Sequence, residues 1–147
     1  MDNSEITVQF IEFASPEYDA TVALRYEVLR KPIGLDFTEE QLSTEYADIH
    51  LAAYVADNLA GCLILSPIDE KIVKMRQVAV DESMQNKGIG KALVLYSESL
   101  AKYFGYAKII LHARQNAVPF YENLDYKILK EAFTEVGIPH RYMEKQL

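Results

Sequence analysis

One loop in the sequence has residue types and spacing that suit an anion site. It runs from Gln85 to Gly90 (Gln-Asn-Lys-Gly-Ile-Gly), after the apolar segment Val78-Ala79-Val80 and directly before a helical pattern. Glycine lets a backbone approach a ligand closely, and the first N–H groups of a helix have no acceptor within that helix. Lys87 and Lys91 add positive charge. The loop therefore predicts a site for an anion, most naturally a phosphate group.

Two familiar phosphate-binding loops do not match these residues. A P-loop requires glycine at the position of Gln85 and Ser or Thr at the position of Ala92. A dinucleotide-binding fingerprint requires glycine at the position of Leu93. The pattern that remains, Gln-x-x-Gly-x-Gly after an apolar strand, is also compatible with a tight strand-to-helix turn that binds nothing.

Histidines are the other side chains that could move protons at neutral pH. His140 and His112 are the better-placed candidates for a general base. His50 precedes a predicted strand, with Glu45 and Asp48 shortly before it. A lone histidine is more often a hydrogen-bonded structural residue than a base, and this alternative holds for each of the three. The three show no spacing typical of a metal site, so no metal is predicted.

Composition limits the class of protein. The chain has 147 residues, long enough for one domain with its own core. Cys62, the only cysteine, rules out a disulfide within the chain and lies in an apolar run that suits the core better than a nucleophile. The acidic start, residues 1–5, does not resemble a signal peptide, and no apolar run is long enough to span a bilayer. We therefore predict a soluble, cytoplasmic protein with no membrane partner.

The net charge of −7 argues against nucleic acid as a partner. The charge is divided unevenly, since residues 1–60 carry a net −9 and residues 61–147 a net +2. Such halves are most often solvated faces. The alternative is that the two halves meet ligands of opposite charge.

The hydrophobic periodicity predicts the elements that position these residues. Strands are expected over 6–13, 51–56, 59–65, 72–80 and 108–112, with a final strand pair after Tyr126 that is broken at Gly137-Ile138-Pro139. Asp57-Asn58 suits a two-residue hairpin turn. Helices are expected after the cap Ser15-Pro16-Glu17, over 38–46, from Ile89 to Gly105 and over 117–123. The long helix is expected to bury the face carrying Ile89, Leu93, Tyr96, Leu100 and Phe104.

This order of elements predicts the fold class. The chain is expected to be a single α/β (α+β) domain over residues 1–147, with a mixed sheet flanked by helices on both faces. The segment from Val73 to His112 is a strand, a crossover helix and a strand, so those two strands are expected to run parallel.

Three segments resemble the GNAT N-acetyltransferase superfamily, and the third resembles its ElaA/YjcF-like branch. Val78-Ala79-Val80 with the Gln85–Gly90 loop is similar to the acetyl-CoA signature, in which loop amides hold the pyrophosphate. Residues 117–126 (Ala-Val-Pro-Phe-Tyr-Glu-Asn-Leu-Asp-Tyr) resemble the later Ala-x-x-Phe-Tyr-x-x-x-Gly-Phe helix, and residues 135–140 resemble a Glu-x-Gly-Ile-Pro-His stretch. The resemblance implies a mostly antiparallel GNAT-like sheet and a cofactor site at Val78, Ala79, Val80, Gln85, Asn86, Lys87, Gly88, Ile89, Gly90 and Lys91.

Two positions depart from the family pattern. Asp125 stands where the family usually has glycine, so the turn there must be accommodated differently. Arg114 stands where many relatives have an asparagine that contacts the cofactor, and Asn116 lies two positions away. These departures bear on the pantetheine contacts more than on the pyrophosphate site.

The resemblance implies transfer of an acetyl group from acetyl-CoA to a primary amine by direct attack in a ternary complex. An alkylamine has a pKa near 10.4, so it must lose a proton before it attacks. A backbone N–H near Val80 would stabilise the oxygen of the thioester. Tyr121 occupies the position of the family's general acid, which protonates the departing thiolate. His140 leads as general base because it follows the Gly137-Ile138-Pro139 turn, although a relayed water could replace it.

The acceptor is expected to be a small molecule or a peptide. The −9 segment includes the early helices that border the acceptor in the family, which favours a cationic amine. The resemblance also allows a homodimer, because dimers are common in the family. The alternative function is a non-catalytic acyl-CoA-binding or regulatory module of the same fold, which would keep the phosphate loop without turnover.

Overall fold

A computed structural model describes residues 5–147 of the chain. Residues 1–4, which belong to the acidic start that argues against a signal peptide, lie outside the described part. The strands are β1 (Ile6–Ile11), β2 (Ile49–Val55), β3 (Asn58–Pro67), β4 (Ile72–Val80), β5 (Lys108–Arg114), β6 (Lys127–Ile128), β7 (Phe133–Glu135) and β8 (Ile138–Gln146).

The α-helices are α1 (Pro16–Arg25), α2 (Glu39–Ser43), α3 (Ile89–Tyr103) and α4 (Val118–Glu122). Both predicted caps are confirmed. Ser15 accepts a hydrogen bond from the N–H of Tyr18 at the start of α1, and Thr38 and Gln41 form a reciprocal capping box at the start of α2. A π-turn over Tyr26–Arg30 and a 3₁₀ turn over Lys31–Ile33 continue α1, before Gly34 ends the run with φ 73°.

The strands form one eight-stranded sheet in the order β1-β2-β3-β4-β5-β8-β6, with β7 paired to β8. The pair β4–β5 is parallel, from Ile72 opposite Lys108 to Met75 opposite Leu111. The pairs β1–β2, β2–β3, β5–β8, β6–β8 and β7–β8 are antiparallel. The predicted mixed sheet and its parallel strand pair are therefore confirmed, and β6 is one short strand more than the sequence pattern predicts.

The chain divides into two compact units, and the prediction of a single domain stays a prediction. Among the described residues, the first unit comprises 5–66 and Gln77–Ser97. Its core includes Leu51, Leu63, Ile89 and Leu93, all buried. The strand β3 packs so closely against α3 that a Cβ on Gly61 would lie 2.9 Å from Cγ2 of Ile89, so only glycine fits there without a shift.

The β2–β3 turn lies one residue earlier than predicted. Ala56 and Asp57 are its two left-handed residues, with φ 50° and 66°, and Val55 pairs with Asn58. A hairpin turn of this kind needs positive φ at both central positions, and Asn58 instead begins β3. Its side-chain amide donates a hydrogen bond to the carbonyl of Ala56.

The second unit comprises Pro67–Arg76 and Glu98–Leu147. Val73, Ile109, Leu111 and Met143 are buried in its core. The prediction that Gly137-Ile138-Pro139 breaks the last strand pair is wrong at its last two residues. The turn is formed by Val136 and Gly137, with φ 47° and 76°, and residues 138–139 already belong to β8.

The buried face of α3 differs from the predicted face in its second half. Ile89 and Leu93 are buried as predicted, but Tyr96 and Phe104 are exposed. The buried positions continue instead through residues Val94, Ser97 and Ala101. Ser97 can occupy a buried helical position because its hydroxyl donates to the carbonyl of Val94. No helix within residues 5–147 is both long and apolar enough to cross a membrane.

Candidate active site

The Gln85–Gly90 loop joins β4 to α3 through backbone conformations that most residues avoid. Asn86 and Gly88 have φ 63° and 85°, both left-handed, and α3 begins directly afterwards at Ile89. The helix continues for 15 residues, and its first internal bond in this turn runs from the N–H of Ala92 to the carbonyl of Gly88. Its earlier N–H groups therefore have no acceptor within the helix, and they lie at its positive end.

The exposed side chains of this loop leave its backbone accessible. Gln85, Asn86, Lys87 and Gly88 are exposed, whereas Ile89 is buried and anchors the first turn of α3. A Cβ on Gly88 would meet no atom closer than 4.0 Å, so the glycine serves the backbone conformation more than local packing. The predicted anion loop thus combines a left-handed turn, a helix N-terminus and free space.

Two side chains hold the start of the loop in shape. The amide of Gln85 donates to the carbonyl of Val80 at 3.3 Å, so the predicted cofactor-binding Gln85 ties the loop back to the end of β4. The carboxylate of Asp81 accepts bonds from the N–H and the hydroxyl of Ser83. Those two hydrogen bonds lower the pKa of Asp81.

The strand before the loop contains a residue that the alternation did not single out. Gln77 has φ 56° in the middle of β4, which interrupts the regular strand as a bulge does. Its side-chain oxygen accepts a hydrogen bond from Nε of Arg25 at 3.3 Å. Beyond it, Ala79 is buried and Val78 and Val80 are half-buried. The predicted cofactor-binding residues 78–80 and 85–91 all belong to the first unit.

Tyr121, the predicted general acid, lies on α4 in the second unit and is buried. Its ring contacts those of Phe120 and Tyr126, with centroids 5.0 and 5.7 Å apart. Burial raises the pKa of the Tyr121 phenol above its ordinary value, so the hydroxyl keeps its proton at neutral pH. The side chain can therefore donate a hydrogen bond to a developing anion.

His140 and His112, the two leading candidates for a general base, share one carboxylate. Nδ1 of His112 lies 2.8 Å from Oε1 of Glu135, and Nε2 of His140 lies 3.8 Å from Oε2 of the same residue. Glu135 is a functional candidate that the sequence analysis missed. The signal lay in the tight β7–β8 turn, because the register that pairs Phe133 with His140 also carries Glu135 into this cluster.

His50 and Glu45 are not candidates for a base. Nε2 of His50 lies 2.8 Å from the carbonyl oxygen of Glu45. The Glu45 carboxylate is buried in a two-bond pair with Arg25, at 2.8 and 2.7 Å, and also accepts from the Tyr18 hydroxyl. Sequence analysis missed Arg25 as a partner because 20 residues separate the two charges along the chain.

Cys62 is buried, as expected for a core residue. Burial raises the pKa of its thiol to about 12, so the reactive thiolate is scarce at neutral pH.

The turn at Asp125 keeps the shape that glycine would give, because Asp125 itself adopts φ 72°. Arg114 ends β5 opposite His140.

The comparisons with known proteins agree with this fold. Residues 16–147 match the family described as the acetyltransferase (GNAT) domain. This sheet, with a glycine loop that leads into a long helix, is that of a GNAT-type acyltransferase. The chain belongs to the GNAT family.

Individual relatives show how far the likeness extends. The chain is 29% identical over 123 residues to the uncharacterized N-acetyltransferase YjcF of Bacillus subtilis. The aligned residues cover 83% of this chain and 87% of that protein. It spans about half the length of two other curated Bacillus subtilis relatives that it matches.

Solved structures share the fold. A protein from Lactobacillus plantarum classed as an N-acetyltransferase superimposes with a TM-score of 0.83 at 24% identity, covering 97% of this chain and 98% of that one. A GNAT family acetyltransferase from Elizabethkingia anophelis, solved with acetyl-CoA bound, gives a TM-score of 0.75 at 21% identity, covering 97% and 98%.

Proposed function

We propose that the chain is an N-acetyltransferase that moves the acetyl group of acetyl-CoA to a primary amine in a ternary complex. The observation that carries the proposal is the loop 85–90, with Asn86 and Gly88 left-handed and exposed at the N-terminus of α3. Family membership and a structural neighbour solved with acetyl-CoA bound support it.

The residues present fit the polyanionic part of coenzyme A. Backbone N–H groups at the start of α3 would receive pyrophosphate oxygens, because they lack acceptors within the helix. Lys87 and Lys91 are exposed beside them and would add charge. Bound acetyl-CoA supplies an activated acyl group, and the remaining chemistry belongs to the side chains and backbone of the chain.

The reaction needs two kinds of stabilisation. A backbone N–H near Val80 would donate to the thioester oxygen as it gains negative charge. Tyr121 would donate to the sulfur as the C–S bond breaks. An ordinary thiol has a pKa near 8.5, below that of a buried phenol, so Tyr121 acts chiefly by hydrogen bonding to the thiolate. A proton from solvent then completes the thiol.

The amine must be neutral before it attacks. His140 and His112 are the candidate bases from the sequence, and Glu135 lies beside both of them. A cationic acceptor fits the charges of the early helical region. Because Arg25 compensates Glu45, the acidic side chains exposed there are Glu17, Asp19, Glu27, Asp36, Glu39 and Glu40. A cytoplasmic location and a homodimer stay predictions.

The test is release of the coenzyme A thiol over a panel of cationic, neutral and acidic amines. We expect turnover, with higher kcat/KM for cationic amines and a loss of that preference at high salt. Binding of coenzyme A without turnover on any amine would favour a non-catalytic acyl-CoA-binding module. A clear preference for acidic amines would contradict the argument for a cationic acceptor and leave the transferase function standing.

Two variants test the assigned roles. Gly88→Val forces a β-branched residue to φ 85° and should weaken coenzyme A binding at least tenfold, a loss of about 1.4 kcal/mol. Gly34→Val is the matched control, since Gly34 has φ 73° outside the loop and its replacement should leave that affinity unchanged. Tyr121→Phe should lower kcat about 100-fold with unchanged coenzyme A affinity. A wild-type rate would show that Tyr121 does not stabilise the departing thiolate.

A further inference from the structure

Two histidines and one carboxylate meet where β5, β7 and β8 pair. The β5–β8 register places Arg114 opposite His140, and the β7–β8 register places Phe133 opposite the same residue. Glu135 lies between the two rings, 2.8 Å from Nδ1 of His112 and 3.8 Å from Nε2 of His140. All these residues belong to the second unit.

The hydrogen-bond partners of each imidazole ring determine which of its two nitrogens carries the proton in the neutral form. Nδ1 of His140 lies 2.8 Å from the carbonyl oxygen of Ile138, which can only accept, so Nδ1 carries the proton. The other nitrogen, Nε2, then faces Glu135 in a side chain that is only 4% exposed. His140 is therefore enclosed, and its free lone pair is directed at a carboxylate.

His112 has the opposite arrangement. Its Nδ1 donates to the carboxylate of Glu135, so in the neutral ring Nε2 keeps a lone pair. Among residues 5–147, Nε2 of His112 has no hydrogen-bond partner, and the side chain is 20% exposed. An imidazole held by a carboxylate at one nitrogen and open at the other is arranged to take a proton.

Aromatic neighbours hold the His112 ring in place. Its centroid lies 5.0 Å from that of Phe133, edge to face, and 4.9 Å from that of Tyr142. Phe133 also stacks on His140 at 5.9 Å. Rotation of the His112 ring away from Glu135 would therefore disturb packing on two sides.

Charges of both signs act on His112. The Lys74 ammonium lies 3.4 Å from Nδ1, but that nitrogen already donates to Glu135, so Lys74 acts by repulsion of added charge. Burial is the main cause that lowers the pKa of Lys74. Burial would raise the pKa of Glu135, but the hydrogen bond from His112 and the charges of His112, His140 and Lys74 lower it overall. Arg114 also interacts electrostatically with Glu135.

We propose that His112 is the general base of the transfer, with Glu135 and His140 as positioning residues that act through it. The proposal rests on the proposed N-acetyltransferase function and replaces His140 by His112 as the group that meets the amine. Glu135 holds the His112 ring through Nδ1, and the Lys74 ammonium lies 3.4 Å from the same nitrogen.

Nε2 of His112 takes one proton from the ammonium, directly or through one water. The nitrogen lone pair then forms the C–N bond to the acetyl carbon, and the C–S bond breaks. The nitrogen loses its second proton to solvent, the thiolate gains one from solvent, and imidazolium returns its proton to solvent. The products are the amide, the thiol and one net proton.

The experiment measures kcat/KM against pH for the full chain and its variants. His112→Gln should lower kcat/KM about 100- to 10,000-fold and abolish the acid limb of the profile. Glu135→Gln should move that limb to lower pH, and Lys74→Met should move it to higher pH. The matched controls Glu131→Gln and Lys127→Met remove exposed charges outside the cluster and should leave the limb in place. Added imidazole should restore activity to His112→Ala.

Each outcome decides a separate point. Coenzyme A affinity and thermal stability near wild type show that a variant has folded. Turnover by the wild type with an unchanged limb in His112→Gln overturns the proposal and leaves the transferase function standing. A lower rate with an unmoved limb in Glu135→Gln and Lys74→Met also overturns it, since a merely structural role would act in that way. A wild type that binds coenzyme A without turnover overturns both.

Discussion

Asp125 shows how one residue keeps a turn for which its family uses glycine. It follows α4 with φ 72°, and its N–H donates to the carbonyl of Glu122. A left-handed backbone costs an L-residue about 1–2 kcal/mol, and Asp is among the residues that tolerate it best. The departure from the family pattern therefore changes the residue and keeps the backbone.

This conformation predicts an order of stability at position 125. Asp125→Gly should raise the free energy of unfolding by about 0.5 kcal/mol, because relief of strain outweighs the added entropy of the unfolded chain. Asp125→Val should lower it by about 1 kcal/mol or more, since a β-branched residue suits positive φ poorly. Urea unfolding measures both. The reverse order would show that the turn relaxes to another conformation.

At the scale of elements, a buried ion pair joins α1 to the segment after α2. Arg25 and Glu45 are 1% and 3% exposed, and Phe37 covers the guanidinium at 4.6 Å. Tyr18 donates to the same carboxylate. The two charges of the pair neutralise each other. Arg25 also donates a hydrogen bond to Gln77, which connects the early helical region to β4.

Removal of one partner should leave the other charge buried without the opposite charge that neutralises it. We expect Arg25→Met and Glu45→Gln each to lower the free energy of unfolding by about 3–5 kcal/mol. The exposed pair Lys31–Glu27 is the control, because Lys31→Met should cost less than about 1 kcal/mol. Chemical denaturation measures the three values. Equal losses at the buried and exposed pairs would contradict the enclosure of Glu45.

At the scale of the whole molecule, local signals were predictable and distant pairings were not. The capping box of Thr38 and Gln41 involves neighbours along the chain, so the sequence shows it directly. The loop 85–90 was likewise found from its own residues. Glu135 meets His112 only after a tight turn and two strand pairings have formed, 23 residues apart. The positive φ of Gln77 could not be predicted from its residue type, because the position holds neither glycine nor asparagine.

The pKa values of several buried groups are shifted in the same direction. Burial raises the pKa of Cys62 to about 12, and it is the largest cause of the raised pKa values of Tyr18, Tyr121 and Tyr126. In the unfolded chain the thiol and the phenols have pKa values near 8.5 and 10. A raised pKa contributes stability below the unfolded value, and that stability is lost as pH rises toward the folded value.

The molecule should therefore lose stability in alkali. We expect the free energy of unfolding to fall between about pH 8.5 and 11, first through Cys62 and then through the tyrosines. Cys62→Ala should be less stable at pH 7 but should show a smaller decline up to pH 10. Urea unfolding at each pH measures the slope. A flat profile for the wild type over this range would mean that these groups reach solvent in the folded state.

The enclosure of Cys62 also makes the protein a reporter of its own opening. A thiol reagent at pH 8 finds almost no thiolate on the folded chain and a reactive one on the unfolded chain. Labelling of the single cysteine therefore counts opening events, and mass spectrometry can follow them without a second label. The same property keeps the protein silent in assays that detect released coenzyme A thiol with a thiol dye, so any signal there belongs to turnover.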